Sequence, residues 1–369
     1  MQPMHDSDMK TLHDILSLPT APFREEAVVE YVRRFADARG LTFRRDKGGN
    51  VVLRYRKTAV RGGRPLRWVF AAHMDHPGFV AARRRGRTLW ARFLGSVEKR
   101  YFPGSRARFF APGGEIAGTV ESVRKSPDGV GLSVRLKLDR SADVPAGTVG
   151  MWDFPAVRVR EQRVSARACD DLAGVASVLC AMDALARRGV PADVTGLLTR
   201  AEESGFVGAL AACRDRTVPR TALLVAIEAS AAHVEAPLGS GVIVRVGDRM
   251  RTFDPSLTAH VDAVAKDLAK HHRGFRFGRH LMPGGTCEST VYAAWGYTAA
   301  AVCIPLGNYH NRARNDRIAP EQIDLGDFAS LVQLLTGLAE SKTTPADTDA
   351  KLRTALTGRL LRYGPLLRG

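Results

Sequence analysis

The chain has 369 residues, 45% of them hydrophobic, enough for two or three domains with a sizeable core. No apolar run reaches the ~18 residues of a membrane helix, and the opening MQPMHDSDMKTLHD has no apolar segment of signal-peptide type. The net charge of +17 raises nucleic-acid binding, but the Arg residues are spread along the chain and no nucleic-acid motif accompanies the densest spots, Arg83 to Arg87 and the tail RLLRY.

In chain order, residues 8–18 and 23–39 read as helices, the second with Val28, Val29, Tyr31, Val32 and Phe35 along one stripe and Gly40 at its end. LTFRRDKGGNVVLRYR reads as a hairpin turning on Gly48, Gly49 and Asn50. LRWVFAAHMDHPGFV is a buried strand whose end carries His73 and Asp75. Residues two apart share a strand face, so Asp75 is placed to orient the His73 imidazole from behind. Residues 80–163 change to short β-like pieces rich in Gly and Pro, a small β unit inserted into an α/β domain.

ACDDLAGV then opens a long apolar helix. One Asp suffices as its N-cap, which leaves the second of the pair Asp170–Asp171 free to enter an interior site. LLTRA is a buried strand running into Glu202–Glu203. A Glu–Glu pair is usually a solvated loop, but two adjacent carboxylates at a strand end repel each other unless a cation or shared proton offsets them. TALLVAIEAS reads as a central parallel strand, in which Glu228 would be costly without a partner. GSGVIVRVGDR is a strand and turn, Asp254–Pro255 start a helix through His271, and a Gly–Gly turn precedes a short helix. YTAAAVCIPLGNYHN is the last buried strand, with His310 just beyond it. Residues 319–341 read as helix, and the tail from about 342 as a terminal helix or docking segment. His76 reads as a solvated loop residue, with an extra site residue as the alternative. The five Cys are odd in number with no CxxC spacing, which points to free thiols, a reducing compartment and a cytoplasmic location.

Five apolar runs thus end on metal-capable residues, His73, Asp170, Glu203, Glu228 and His310, and their convergence at one sheet edge would make a metal site. The ordered motifs DKGGN, AAHMDHPGFV, ACDDLAGV, TRAEESGFVGA, VAIEAS, GSGVIVRVGD, GGTCEST and IPLGNYHN resemble those of the clan MH co-catalytic metallopeptidases, and within them the glutamyl-aminopeptidase and tetrahedral-aminopeptidase family. Roughly a hundred residues lie between His73 and Asp170, room for that family's inserted β domain. The gap of roughly eighty from Glu228 to His310 is too short for the large dimerisation insert of more distant relatives.

The resemblance implies an α/β fold, a helix-flanked mixed sheet with an inserted barrel-like domain. It divides the chain into a catalytic domain (1–79 and 164–341), the insert (80–163) and a tail (342–369). It further implies two divalent ions, zinc first with cobalt or manganese as alternatives. His73 and Glu228 would hold one and Glu203 and His310 the other, with Asp170 bridging, Glu202 as general base on a metal-bridging water, and Asp75 orienting His73. Peptides are the implied substrates and a homo-oligomer the implied assembly. The chain departs from the family at Glu228 (usually Asp), Leu172 (usually Arg), His76 (often Glu) and GGTCES (typically GGTDA), which bears on substrate preference. The rivals are a metal-dependent deacylase of N-acyl amino acids or blocked peptides, and a non-catalytic scaffold of the same fold.

Overall fold

The computed structural model describes residues 5–58 and 65–368; the first four residues of the opening stretch lie outside them. Helices α1 (Asp6–Leu16) and α2 (Glu26–Asp37) precede the hairpin β1 (Thr42–Arg45) and β2 (Val51–Lys57) and the buried strand β3 (Arg67–His73). Six strands follow, β4 (Gly78–Arg85), β5 (Thr88–Leu94), β6 (Arg106–Ala111), β7 (Gly114–Lys125), β8 (Leu132–Leu138) and β9 (Val149–Trp152). They close in the order β4-β5-β8-β7-β6-β9 as a barrel. β10 (Val157–Arg160) and β11 (Arg163–Ala166) lead to the long helix α3 (Leu172–Arg188). Then come β12 (Ala192–Thr199), α4 (Val207–Arg214), β13 (Leu223–Ala231), β14 (Val242–Gly247), α5 (Pro255–His271), β15 (Phe277–Leu281), α6 (Glu288–Ala294) and β16 (Thr298–Leu306). The chain finishes with β17 (Glu321–Asp324), α7 (Leu325–Glu340) and α8 (Pro345–Tyr363).

The main sheet has eight strands in the order β1-β2-β12-β3-β13-β16-β14-β15. Its centre, β12-β3-β13-β16, is parallel, and β2 and β14 join it antiparallel. Parallel strands are covered on both faces, and the alternation in β3 shows it. Trp68, Phe70 and Ala72 face the core under α1, α3 and α7, while Val69 and Ala71 face the one under α4 and α6. The barrel has its own aromatic core, in which Phe79 meets Trp152 edge-on at 4.8 Å and Phe93 meets Phe102 at 4.9 Å. Gly150 permits this closure, since a Cβ there would stand 2.7 Å from the Phe109 ring.

The fold class is as the sequence implies, an α/β chain with a mixed sheet and a barrel. Two short strands depart from it. β15 has no counterpart in the sequence reading; it is a parallel edge strand without a fully buried residue, so it carries no apolar run. β17 replaces the first turn of the helix expected over 319–341, and Asp324 caps α7 instead. β16 is therefore not the last strand; β17 pairs with β11. Among the described residues no helix is long and apolar enough to cross a membrane.

Candidate active site

The sheet register brings the first residues together. His73 ends β3 level with Thr199 of β12, and Ala71 pairs with Ala226, which sets Glu228 two residues on beside His73. Asp171 caps α3 by accepting the Gly174 N–H at 3.1 Å. Gly174 is needed there, because a Cβ would fall 2.2 Å from that carboxylate. Capping is thus left to Asp171, and Asp170 turns inward. Glu202 and Glu203 lie in a 3-10 turn after β12, and His310 in another after β16. Ala201, Phe206, Asn308, His310 and Asn311 all hold positive φ, so the two turns that carry ligand candidates are conformationally strained.

Ligand atoms of His73, Asp170 and Glu228 lie within 4.8 Å of one another, as do those of Asp170, Glu203 and His310. Asp170 is common to both groups, with Oδ1 3.5 Å from His73 Nε2 and Oδ2 3.5 Å from His310 Nε2. His73 Nε2 is 3.7 Å from Glu228, and His310 Nε2 is 3.0 Å from Glu203. The other ring nitrogens are engaged: His73 Nδ1 lies 3.1 Å from the Asp75 carbonyl and His310 Nδ1 3.0 Å from the Ser96 carbonyl. A carbonyl only accepts, so each Nδ1 carries the proton and each Nε2 turns a lone pair on the carboxylates. Asp170 Oδ1, Glu203 Oε1 and Glu228 Oε1 are buried without a hydrogen-bond partner. Such a set of acceptors fits a cation and little else.

The electrostatics agree. Burial works against a charged ring at His73, but Glu202, Asp170, Asp75 and Glu228 outweigh it and hold its pKa well above the usual value. His310 is raised the same way, chiefly by Glu203 and Asp170. Burial pushes the Glu228 carboxyl up, and pushes Glu202 well up despite the pull of His73. The negative charge gathered around each Nε2 is what a bound cation would offset.

Several residues that hold this arrangement had no signal in the sequence. Glu321, fully buried, accepts the N–H groups of Cys169 and Asp170 at 2.7 and 3.0 Å and that of His310 at 2.8 Å. Glu25 accepts Ala201 N–H at 3.0 Å and pairs with Arg200 at 2.7 Å. His76 is buried rather than solvated, 2.7 Å from the Asp170 carbonyl and 2.9 Å from Asn311 Oδ1. The orienting part of Asp75 is its backbone carbonyl; its carboxylate is 3.7 Å from His73 Nδ1 and instead takes the N–H groups of Glu202 and Glu203. Beside Glu228 and Tyr309 opens a cavity of about 510 Å³, with Arg245 in its wall. Arg245 is 2% exposed, donates to Ser230 Oγ at 3.2 Å and has no carboxylate in ion-pair range among the described residues.

Comparison with known proteins gives the family and the fold. The family model for M42 glutamyl aminopeptidase matches residues 134–334, more than half of the chain. No curated protein shows a sequence match. The fold is similar to the TET aminopeptidase of a marine-sediment Thaumarchaeota archaeon (18% identity, 93% of this chain and 99% of that one, TM-score 0.76). It is similar also to an aminopeptidase from the archaeon Desulfurococcus kamchatkensis (20% identity, 93% and 97%, TM-score 0.75). A third likeness is a Pyrococcus horikoshii TET peptidase described as assembling into a tetrahedron or a large octahedral shell (19% identity, 90% and 99%, TM-score 0.72).

Proposed function

The chain belongs to the M42 glutamyl aminopeptidase family and is a peptidase, and we propose that it removes N-terminal residues from peptides with two divalent ions. His73 and Glu228 hold one ion, Glu203 and His310 the other, and Asp170 serves both. The observation that carries this reading is the sharing of Asp170 between two acceptor-only groups. Bound there, the ions supply Lewis-acid polarisation of the scissile carbonyl and a more acidic attacking water. Histidine and carboxylate donors suit zinc, with cobalt or manganese as alternatives.

The chain's own groups do the rest. Glu202 shares a cluster with His73 and Glu203, and its raised pKa suits a base that takes a proton and hands it to the leaving amine. The Asp75 and Ser96 carbonyls hold both imidazoles in one tautomer. Arg245, a buried cation in the wall of the adjoining cavity, favours an acidic side chain on the residue removed. In this reading residues 1–79 and 164–341 form the catalytic unit and 80–163 the insert, which reaches the site through Ser96. Five buried free thiols support a cytoplasmic setting. The assemblies described for the Pyrococcus peptidase support a homo-oligomer. Metal analysis tests the site: the wild type should hold two ions per chain, His73→Gln one, and Asp170→Asn fewer than one. Two ions in Asp170→Asn would reject the shared carboxylate.

A further inference from the structure

Tyr309 is held more firmly than its hydroxyl requires. It stands between Asn308 and His310, which both hold positive φ, and this turn lays its ring on the His310 imidazole, centroids 3.8 Å and planes 26° apart. The Arg312 guanidinium stands 5.3 Å from the ring centroid, and its Nε donates to the Tyr309 carbonyl at 3.3 Å. The Asn308 side chain donates to the Pro320 carbonyl at 2.8 Å, which pins the same turn. Ring and backbone are therefore fixed, and a phenylalanine would make every one of these contacts.

The hydroxyl is what packing leaves unexplained. It makes no hydrogen bond among the described residues, although Asp170, Glu203, Glu202 and Glu228 lie close enough for their charge to reach it. Tyr309 borders the cavity that Glu228 also lines. The Gly284–Gly285 turn stands next to its oxygen, which a Cβ on Gly285 would approach to 3.7 Å. A phenol is protonated at neutral pH and so is a donor. Resting on the peptidase reading, we propose that Tyr309 is a catalytic residue whose hydroxyl donates a hydrogen bond to the scissile carbonyl oxygen as it becomes an oxyanion. The water oxygen bonds to the carbonyl carbon, the carbonyl π pair moves onto its oxygen, and Glu202 takes one water proton. The phenol keeps its own proton throughout. As the oxyanion collapses the C–N bond breaks, Glu202 returns the proton to the leaving amine, and a carboxylic acid remains. A donor already fixed in place needs no reorganisation as that charge develops.

The test is Tyr309→Phe, which keeps the ring on His310 and removes only the donor. On aminoacyl amides kcat should fall about 100- to 1,000-fold, with KM within about threefold of the wild type and metal content and melting temperature unchanged. Binding gives a second readout. An aminoalkylphosphonate, tetrahedral and anionic like the intermediate, should bind the variant at least ~10-fold more weakly, while the planar amino-acid product binds both proteins alike. A kcat close to the wild type's, or a rise in KM alone, overturns the proposal. So does a loss of kcat that follows a loss of metal, which would make Tyr309 a support for His310. If the wild type cleaves only acetylated amides, the aminopeptidase reading fails, yet the Tyr309→Phe ratio on those substrates still decides the proposal, because both hydrolyses pass through the same oxyanion. A wild type that cleaves neither set overturns both.

Discussion

The carboxylate of Asp75 accepts the backbone N–H of Glu202 at 2.9 Å, and its second oxygen takes the N–H of Glu203 at 3.1 Å. One buried acid thus positions the proposed base and a proposed ligand by their backbones, while its own carbonyl faces His73. Glu321 does the same across the site for Asp170 and His310. The two anchors explain how two strained turns and the segment before α3 present four site residues at fixed spacing.

Removing an anchor should loosen metal before it unfolds the chain. Asp75→Ala and Glu321→Ala leave two and three buried N–H groups without partners, at about 1–3 kcal/mol each. Metal affinity should fall about 10- to 100-fold, and Glu321→Gln, which keeps one acceptor oxygen, should recover part of it. Titration of metal into stripped protein checks this.

Glu288 gives stability a pH dependence. Fully buried at the start of α6, with one oxygen unpartnered, its carboxyl is pushed by burial from 4.5 up to about 7. The folded chain therefore keeps a proton that the unfolded chain releases between those values. Its contribution is full below about 4.5 and is lost as pH rises to about 7, on the order of 3 kcal/mol. Glu288→Gln should flatten that part of the slope in melting temperature against pH.

Arg245 should set preference rather than rate. Arg245→Met should lower kcat/KM for substrates with an N-terminal Glu or Asp roughly 100-fold, and change neutral N-terminal residues by only a few-fold. Competition between acidic and neutral aminoacyl amides measures the ratio directly.

The sheet and the convergence of the candidate ligands were legible in the sequence because both rest on local pattern. Uninterrupted apolar runs marked β3, β12, β13 and β16, and each led to a polar residue that its surroundings made costly. The supporting residues left no such trace. Glu321 sits in a four-residue strand after a proline and looks like the start of a helix, and its three acceptor contacts come from segments more than ten residues away in the chain. His76 looks solvated beside Pro77 until β4 and the loop after β16 close over it. The Asp75 carboxylate was read as the orienting group because strand alternation was carried past His73, where β3 ends.

The most direct measurement is hydrolysis of a panel of free and N-acetylated aminoacyl amides by metal-stripped protein, before and after zinc, cobalt or manganese is restored, with Glu202→Gln alongside. Metal-restored cleavage confined to free-amine substrates, reduced at least 100-fold in Glu202→Gln, is the predicted result. Cleavage of only the acetylated set, or equal activity in Glu202→Gln, would contradict the account.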